Sequence, residues 1–369
     1  MELVVRKNDL LRELQLFQGI VERKNTIPIL ANVLMEATTD QVQMLATDLE
    51  VGLRSRCAAS VAKGGSLTLP AKKFFEIVRA LPDTDVRIEQ DNTSVTIAAD
   101  RFDSKMQTLP REDFPTVPEA SGKATVTLPG KIFRDMVSRT QFAITSEDTR
   151  YFLNGAKLVL GAGTMTLVAT DGHRLALVTV PREQAGESGP LDVILPKKTL
   201  MELSRLLGEG DEAIRYEQGE NHLFFHVGDR LLISRKIDGQ FPAYERVIPK
   251  GNDKRIEFER DRVTSAIKRV ALLSNERSRA VKLLIEGGKV EVASSSPEFG
   301  EAKEQLNVEY SGPAMQICFN AQYMLDFLAV VETDSVALEL KDEVSQAVMR
   351  PVNPPEGHEY TYVIMPMRI

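Results

Sequence analysis

The chain has 369 residues, 43% hydrophobic and 27% charged, with a formal net charge of −7. This is an ordinary globular composition, which excludes collagen-like, coiled-coil and disordered classes, and the length allows about two to four domains. Two cysteines, Cys57 and Cys318, and four histidines leave no disulfide framework, no cysteine-rich zinc site and no expected metal or other cofactor.

From the N-terminus, Leu10, Leu11, Leu14 and Phe17 mark a first amphipathic helix. A strand, Leu67-Thr-Leu-Pro70, breaks into a second helix carrying Phe74, Phe75, Val78 and Leu81, and Val95-Thr-Ile-Ala98 reads as a strand beyond it. Ile132, Phe133, Met136 and Val137 mark a third helix. The strand Val193-Ile-Leu-Pro196 leads into a fourth with Leu200, Leu203, Leu206 and Leu207. His222 and His226 are four apart, but His222-Leu-Phe-Phe-His226-Val reads as strand, where such residues stand about 13 Å apart, too far to share a metal. After the strand Leu231-Leu-Ile-Ser234, Val263, Ile267 and Val270 mark the fifth helix. Ile317-Cys-Phe-Asn320 runs into a sixth with Tyr323, Met324, Phe327 and Leu328, followed by the strand Val336 to Leu340. No uncharged apolar run approaches the ~18 residues of a membrane span. The N-terminus lacks the basic-then-apolar layout of a leader, so a cytoplasmic protein with no membrane partner is expected.

These elements repeat. Met44-Leu-Ala46-Thr-Asp48, Leu167-Val-Ala169-Thr-Asp171 and Glu291-Val-Ala293-Ser-Ser295 place their alanines 123 and 124 positions apart, and the strand-to-helix junctions at Pro70, Pro196 and Asn320 are 126 and 124 apart. Phe114-Pro115 and Phe241-Pro242 open Pro-rich segments that close the first two repeats. The expected organisation is three tandem α+β domains, 1–119, 120–250 and 251–369, each with two helices packed on antiparallel sheet.

An acidic protein is a poor partner for nucleic acid unless its positive charge is concentrated. It is: the six helical segments sum to +8, leaving −15 for the rest of the chain. Helices on one common surface would make a positive stripe on a negative body, a footprint for a phosphate backbone. No helix-turn-helix, zinc finger or ribonucleoprotein motif is visible, so such contact would ignore sequence. No Walker loop, dinucleotide fingerprint or nucleophile elbow occurs either. His173 beside Asp171 could serve a hydrolase, but the Asp-Gly pair more plainly marks a turn. A non-enzyme leads; a protein-binding repeat scaffold that does not touch DNA, and a hydrolase, remain as alternatives. The terminus, Tyr360-Thr-Tyr-Val-Ile-Met-Pro-Met-Arg-Ile369, is apolar throughout. It suits either a last core strand or an exposed binding edge, with Pro366 against full pairing.

Thr170-Asp-Gly-His-Arg-Leu-Ala176, Phe241-Pro242 with Tyr244-Glu-Arg-Val-Ile-Pro249, Leu273-Ser-Asn-Glu-Arg277, Phe319-Asn-Ala-Gln-Tyr323 and the terminal Val363 to Ile369 resemble the bacterial sliding clamps, the beta subunits of DNA polymerase III. The resemblance runs from residue 1 to 369. It implies a head-to-tail homodimeric ring that encircles double-stranded DNA, lies with the nucleoid and has no catalysis of its own. Its implied partners are the DNA polymerase III alpha subunit, the clamp loader, and other polymerases and repair proteins bearing clamp-binding peptides. The implied peptide pocket comprises Leu153, Thr170, Gly172, His173, Arg174, Leu175, Pro242, Arg246, Val247, Asn320, Tyr323, Val344, Val363, Ile364, Met365, Pro366, Met367 and Arg368. Ser278 and Gln346 belong to it at positions where an aromatic and a small hydroxyl residue are usual. Arg174, Arg246 and the backbone near Met367 are expected to orient the peptide by hydrogen bonds. Residues expected near DNA are Arg23, Lys24, Lys72, Arg79, Lys131, Arg134, Lys197, Lys198, Arg205 and Arg269, with Tyr151 and Phe152. The expected dimer contact joins Lys73, Phe102, Lys105 and Met106 to Leu272, Leu273, Glu298, Glu301 and Glu304.

Overall fold

All six helical patterns form helices: α1 (Lys7–Phe17), α2 (Ala71–Ala80), α3 (Gly130–Ser138), α4 (Lys197–Leu207), α5 (Arg260–Ala271) and α6 (Ala321–Leu328). Each buries the stripe that predicts it: Leu10, Leu14 and Phe17 in α1, Phe74 and Val78 in α2, Val263, Ile267 and Val270 in α5 are all buried. The junction residues stop strands as much as they start helices. Pro70 ends the strand Gly65–Pro70 and stands just outside α2, not within its first turn, and Pro196 ends Leu191–Pro196 immediately before α4. Asn320 caps α6, its side-chain oxygen accepting from the backbone N–H of Gln322 and Tyr323.

This computed structural model describes residues 1–369 apart from 22–25, 92, 124–125, 146–148, 183–190, 209 and 369. It divides into two compact units: Met1–Arg134 with Lys198–Lys236, and Asp135–Lys197 with Ile237–Ile369. All described strand pairs are antiparallel.

The first unit holds a five-stranded sheet in the order Ser60–Lys63, Glu2–Arg6, Asp85–Asp91, Ser94–Ala99, Phe102–Gln107. Its other sheet has eight strands and crosses the repeats. Val51–Ala58 of the first repeat pairs with Arg230–Arg235 of the second through Leu232↔Leu53 and Ile233↔Gly52. Beneath this junction Ile29, Leu30, Leu45, Phe114, Phe224 and Ile233 form one buried cluster. The buried Glu13 of α1 accepts from Arg230 Nε and Nη2 at 2.9 and 2.7 Å and from Ser55 Oγ at 2.5 Å. Burial alone would raise the Glu13 pKa, but these donors hold it below the ordinary value.

The second unit repeats the plan. Its eight-stranded sheet runs Leu191–Pro196, Gly155–Leu160, Thr164–Thr170, Arg174–Pro181, Glu359–Ile364, Ala347–Pro351, Ser335–Leu340, Lys254–Glu259. The apolar C-terminal segment is therefore a central core strand as far as Ile364, paired on both sides. It stops before Pro366, so the core-strand reading holds as far as Ile364, and Met365 beyond it is exposed. A four-stranded sheet, Gly300–Asn307, Lys289–Ser296, Ala280–Glu286, Met315–Asn320, completes this unit, with α5 against it.

Candidate functional site

The turn at 170–174 is built by its own side chains. Thr170 Oγ1 donates to the Arg174 carbonyl at 2.7 Å and accepts from Gly172 N, while Asp171 Oδ1 accepts from the backbone N–H of His173 and Arg174 at 2.9 and 3.0 Å. Gly172 has φ +86, a left-handed conformation that favours glycine. The first repeat closes the equivalent turn with the same bonds, from Thr47 Oγ1 to the Val51 carbonyl and from Glu50 and Val51 N to Asp48 Oδ1. The signature is thus a turn motif in the first two repeats, whereas in the third its Ser294 and Ser295 lie within the strand Lys289–Ser296. His173 is exposed at the tip, and Asp171 Oδ2 bonds Arg174 Nε, which argues against a His–Asp catalytic pair.

Beside this turn lies a cavity of about 190 Å³ lined by Arg150, Leu153, Thr170, Gly172, His173, Arg174, Leu175, Pro242, Tyr244, Val247, Val363 and Met365. Leu175 and Val363 face each other across adjacent strands. With Val168, Leu177, Ile194, Phe241 and Val348 they form a buried cluster on which Phe152, Tyr244 and Val247 pack. The volume is below the roughly 300–1,000 Å³ of a site that swallows a whole drug-sized ligand. The cavity therefore suits the apolar side-chain anchors of a longer ligand lying across its mouth. After Ile364 the tail crosses the rim: Met365 N donates to the His173 carbonyl at 3.0 Å and Met367 N to the Cys318 carbonyl at 2.8 Å.

Ten of the expected pocket residues line this cavity; the others do not line it. Tyr323 lies under the Arg174 guanidinium, 4.2 Å from its ring centre, Asn320 is a helix cap, and Ile364 is fully buried in its strand. Arg246, Val344 and Arg368 are exposed, Pro366 and Met367 are half-buried in the tail, and Gln346 offers its carbonyl to Asn252. Ser278 lines a different hollow, of about 650 Å³, on the four-stranded sheet with Lys282, Ala293, Lys303 and Cys318. Two lining residues escape the sequence expectation. Tyr244 lies inside the Phe241 to Pro249 motif, and burial pushes its phenol up to about 12. Arg150 places its Nη2 3.4 Å from where a Cβ on Gly172 would stand.

The basic residues differ in how they are held. Lys131 is exposed on α3 with Arg134 half-buried beside it, and Lys72 is 3.9 Å from Glu76. Arg79 stacks on Phe75, Tyr151 is exposed, and Phe152 packs on the pocket cluster. Lys197 donates to the Ile144 carbonyl, and burial together with nearby Arg174 lowers its pKa. Lys198 bonds Asp48 and the Ile20 carbonyl, Arg205 pairs with Glu202, and Arg269 with Glu304. Arg23 and Lys24 lie outside the described residues. Of the expected dimer residues, Phe102, Lys105 and Met106 lie on the edge strand Phe102–Gln107, and Lys73 is paired with Glu76 on α2. Glu301 and Glu304 lie on the edge strand Gly300–Asn307, with Glu298 exposed just before it; Leu272 and Leu273 follow α5, Leu272 being 78% exposed. Among the described residues no His, Cys, Asp and Glu group is arranged to hold a metal, and no helix is long and apolar enough to cross a membrane.

Three sequence repeats of helix and antiparallel sheet, with a small apolar pocket rimmed by a turn and the C-terminal tail, define a clamp-type repeat protein. Comparison with known proteins gives the family. Residues 1–118, 127–243 and 245–368 match the N-terminal, central and C-terminal domains of the DNA polymerase III beta subunit. The beta sliding clamp of Pseudomonas aeruginosa is 38% identical over 373 residues, covering 100% of both chains. The crystal structure of a sliding clamp from that organism bound to griselimycin matches with a TM-score of 0.92 at 37% identity, covering 100% of each chain. The griselimycin-bound clamp of Bartonella birtlesii matches at 0.94 and 36%, again over 100% of each. The chain belongs to the DNA polymerase III beta subunit family, the bacterial sliding clamps.

Proposed function

We propose that two copies of this chain, each of three domains at 1–119, 120–250 and 251–369, close head to tail into a ring that encircles duplex DNA without reading its sequence. The ring catalyses nothing. In the cytoplasm it tethers the DNA polymerase III alpha subunit, the clamp loader, and other polymerases and repair proteins through peptides whose apolar side chains enter the Leu175–Val247–Val363 cavity. The observation that carries this reading is the match of all three beta-subunit domains, in order, along one chain.

Physical features support each part. Among the described residues Phe102–Gln107 and Gly300–Asn307 are edge strands, each paired on one side, and edges of this kind invite strand pairing with another chain. One edge carries Asp103 and Lys105 and the other Glu301, Lys303 and Glu304, so a heterologous contact that sets Lys105 against Glu301 brings opposite charges together and closes a ring where the rotation permits. Lys131, Arg134, Lys72 and Arg79 supply a modest positive field on the helices, while the acidic remainder repels other DNA. Griselimycin, bound by the P. aeruginosa and B. birtlesii clamps, serves in this reading as a probe of the pocket. Rings loaded on nicked circular DNA and then cut with a restriction enzyme test the topology. Retention on circles with release from linear DNA is expected, and equal retention on both forms would refute threading.

A further inference from the structure

The Arg174 guanidinium lines the cavity, yet its bonding points inward. Its Nε donates to Asp171 Oδ2 at 3.0 Å, its Nη1 to Asp326 Oδ2 at 2.5 Å and its Nη2 to the Phe142 carbonyl at 2.6 Å. Tyr323 and Phe142 rings pack against it, at 4.2 and 5.3 Å from the guanidinium carbon, and its side chain is only 10% exposed. Burial works against the charge, but Tyr362, Asp326 and Asp171 hold the pKa above the ordinary arginine value.

The groups that hold Arg174 also hold the pocket. Asp171 fixes the turn that presents Gly172 and His173, and Asp326 belongs to α6, where Gln322 Nε2 bonds its other oxygen at 2.7 Å. The same helix accepts, at the Tyr323 carbonyl, a 2.8 Å bond from the Tyr362 hydroxyl, next in sequence to Val363. Helix α6 is therefore the common support of two walls, the turn and the end of the C-terminal strand, and Met365 N to the His173 carbonyl joins those walls to each other. We propose that Arg174 is a positioning residue: through Asp171 and Asp326 it locks the turn to α6 and so sets the shape of the pocket, without itself bonding the ligand. The role rests on the reading of the cavity as the ligand site. It makes Asp326, which lines no part of the cavity, a determinant of affinity.

Calorimetric titration of the full chain with griselimycin tests this, using Arg174→Met, Arg174→Lys, Asp326→Asn and the Arg174→Met/Asp326→Asn pair. Melting curves verify folding of each variant, and Val247→Asp serves as the pocket control. Asp326→Asn should weaken binding about tenfold, the equivalent of one charged hydrogen bond, and Arg174→Met by a similar factor. The pair should be no weaker than the worse single variant, because both break one linkage. Arg174→Lys should not restore affinity, since an ammonium cannot span two carboxylates and a carbonyl in one plane. In Asp326→Asn, hydrogen exchange at the His173 and Arg174 amides should quicken although the change is on another element. Unchanged or tighter binding by Asp326→Asn alongside loss in Arg174→Met would show that Arg174 bonds the ligand directly and overturn the proposal, as would parental affinity in Arg174→Lys. If the parent fails to bind, or Val247→Asp binds as well as the parent, the pocket reading itself falls, and this role with it.

Discussion

Deleting Met365 to Ile369 removes one wall of the pocket while leaving the strand Glu359–Ile364 between both its neighbours. The described tail is fastened by two backbone bonds, Met365 N to His173 O and Met367 N to Cys318 O. At about 1 kcal/mol net per bond, their loss should lower the unfolding free energy by about 2 kcal/mol or less. Met365 is 40% exposed in the free chain, so a ligand that covers its remaining surface gains about 1 kcal/mol from that contact alone. Loss of the tail's hold on the His173 carbonyl adds to this, and the combined cost of about 1.5–3 kcal/mol predicts roughly ten- to hundredfold weaker binding of griselimycin or of a polymerase clamp-binding peptide. Calorimetric titration reads the affinity, and light scattering reads the mass, which should not change. Undiminished affinity in the truncated protein would refute the assignment of the tail as a pocket wall. A collapse of folding on truncation would refute the claim that it is a wall and not part of the core.

Substituting Leu273→Asp, beside the exposed Leu272 at the end of α5, should convert a two-chain particle to single chains at micromolar concentration; an unchanged mass by light scattering would remove that contact from the ring. Glu13 is held below its ordinary pKa, so its stabilising effect is fully present above about pH 4.5 and fades as pH falls through the lower folded value. Glu13→Gln, which weakens a buried pair, should cost about 3 kcal/mol in urea unfolding at pH 7, with the gap to the parent closing in acid; a gap constant down to pH 3 would contradict the linkage. In salt titrations on linear duplex, Lys131→Ala should reduce the slope of log affinity against log salt by about one. Lys198→Ala should leave that slope alone and lower the melting temperature, because its ammonium is already bonded to Asp48 and Ile20. Equal slope changes for both would show that the Asp48 pair opens when DNA is present.

Local order was readable from the residues because it is written locally. A stripe such as Phe74 and Val78 buries one helix face, Asn320 caps the helix that follows it, and Asp171-Gly172 closes a turn whose bonds span only four residues. The long-range pairings had no such signal. Periodicity within a repeat says nothing about Leu53 lying beside Leu232, so sheets that cross from one repeat to the next were not expected. The same blindness affects charge: Lys198 counts as a free cation in the sequence, but a carboxylate 150 positions away holds it. Nor does the sequence show that the Arg174 guanidinium bonds Asp326 and the Phe142 carbonyl, because both are distant along the chain. Tyr244 was within reach, since it sits in a motif already singled out. Arg150 was not, because only the fold brings it over Gly172.

In the proposed ring two of these chains close around a duplex. Electron-microscope images of the protein loaded on nicked circular DNA address it directly. A closed particle of two chains with one central opening, threaded by the DNA, is the expected result. Single chains bound to the side of the duplex, or open filaments growing along it, would contradict it.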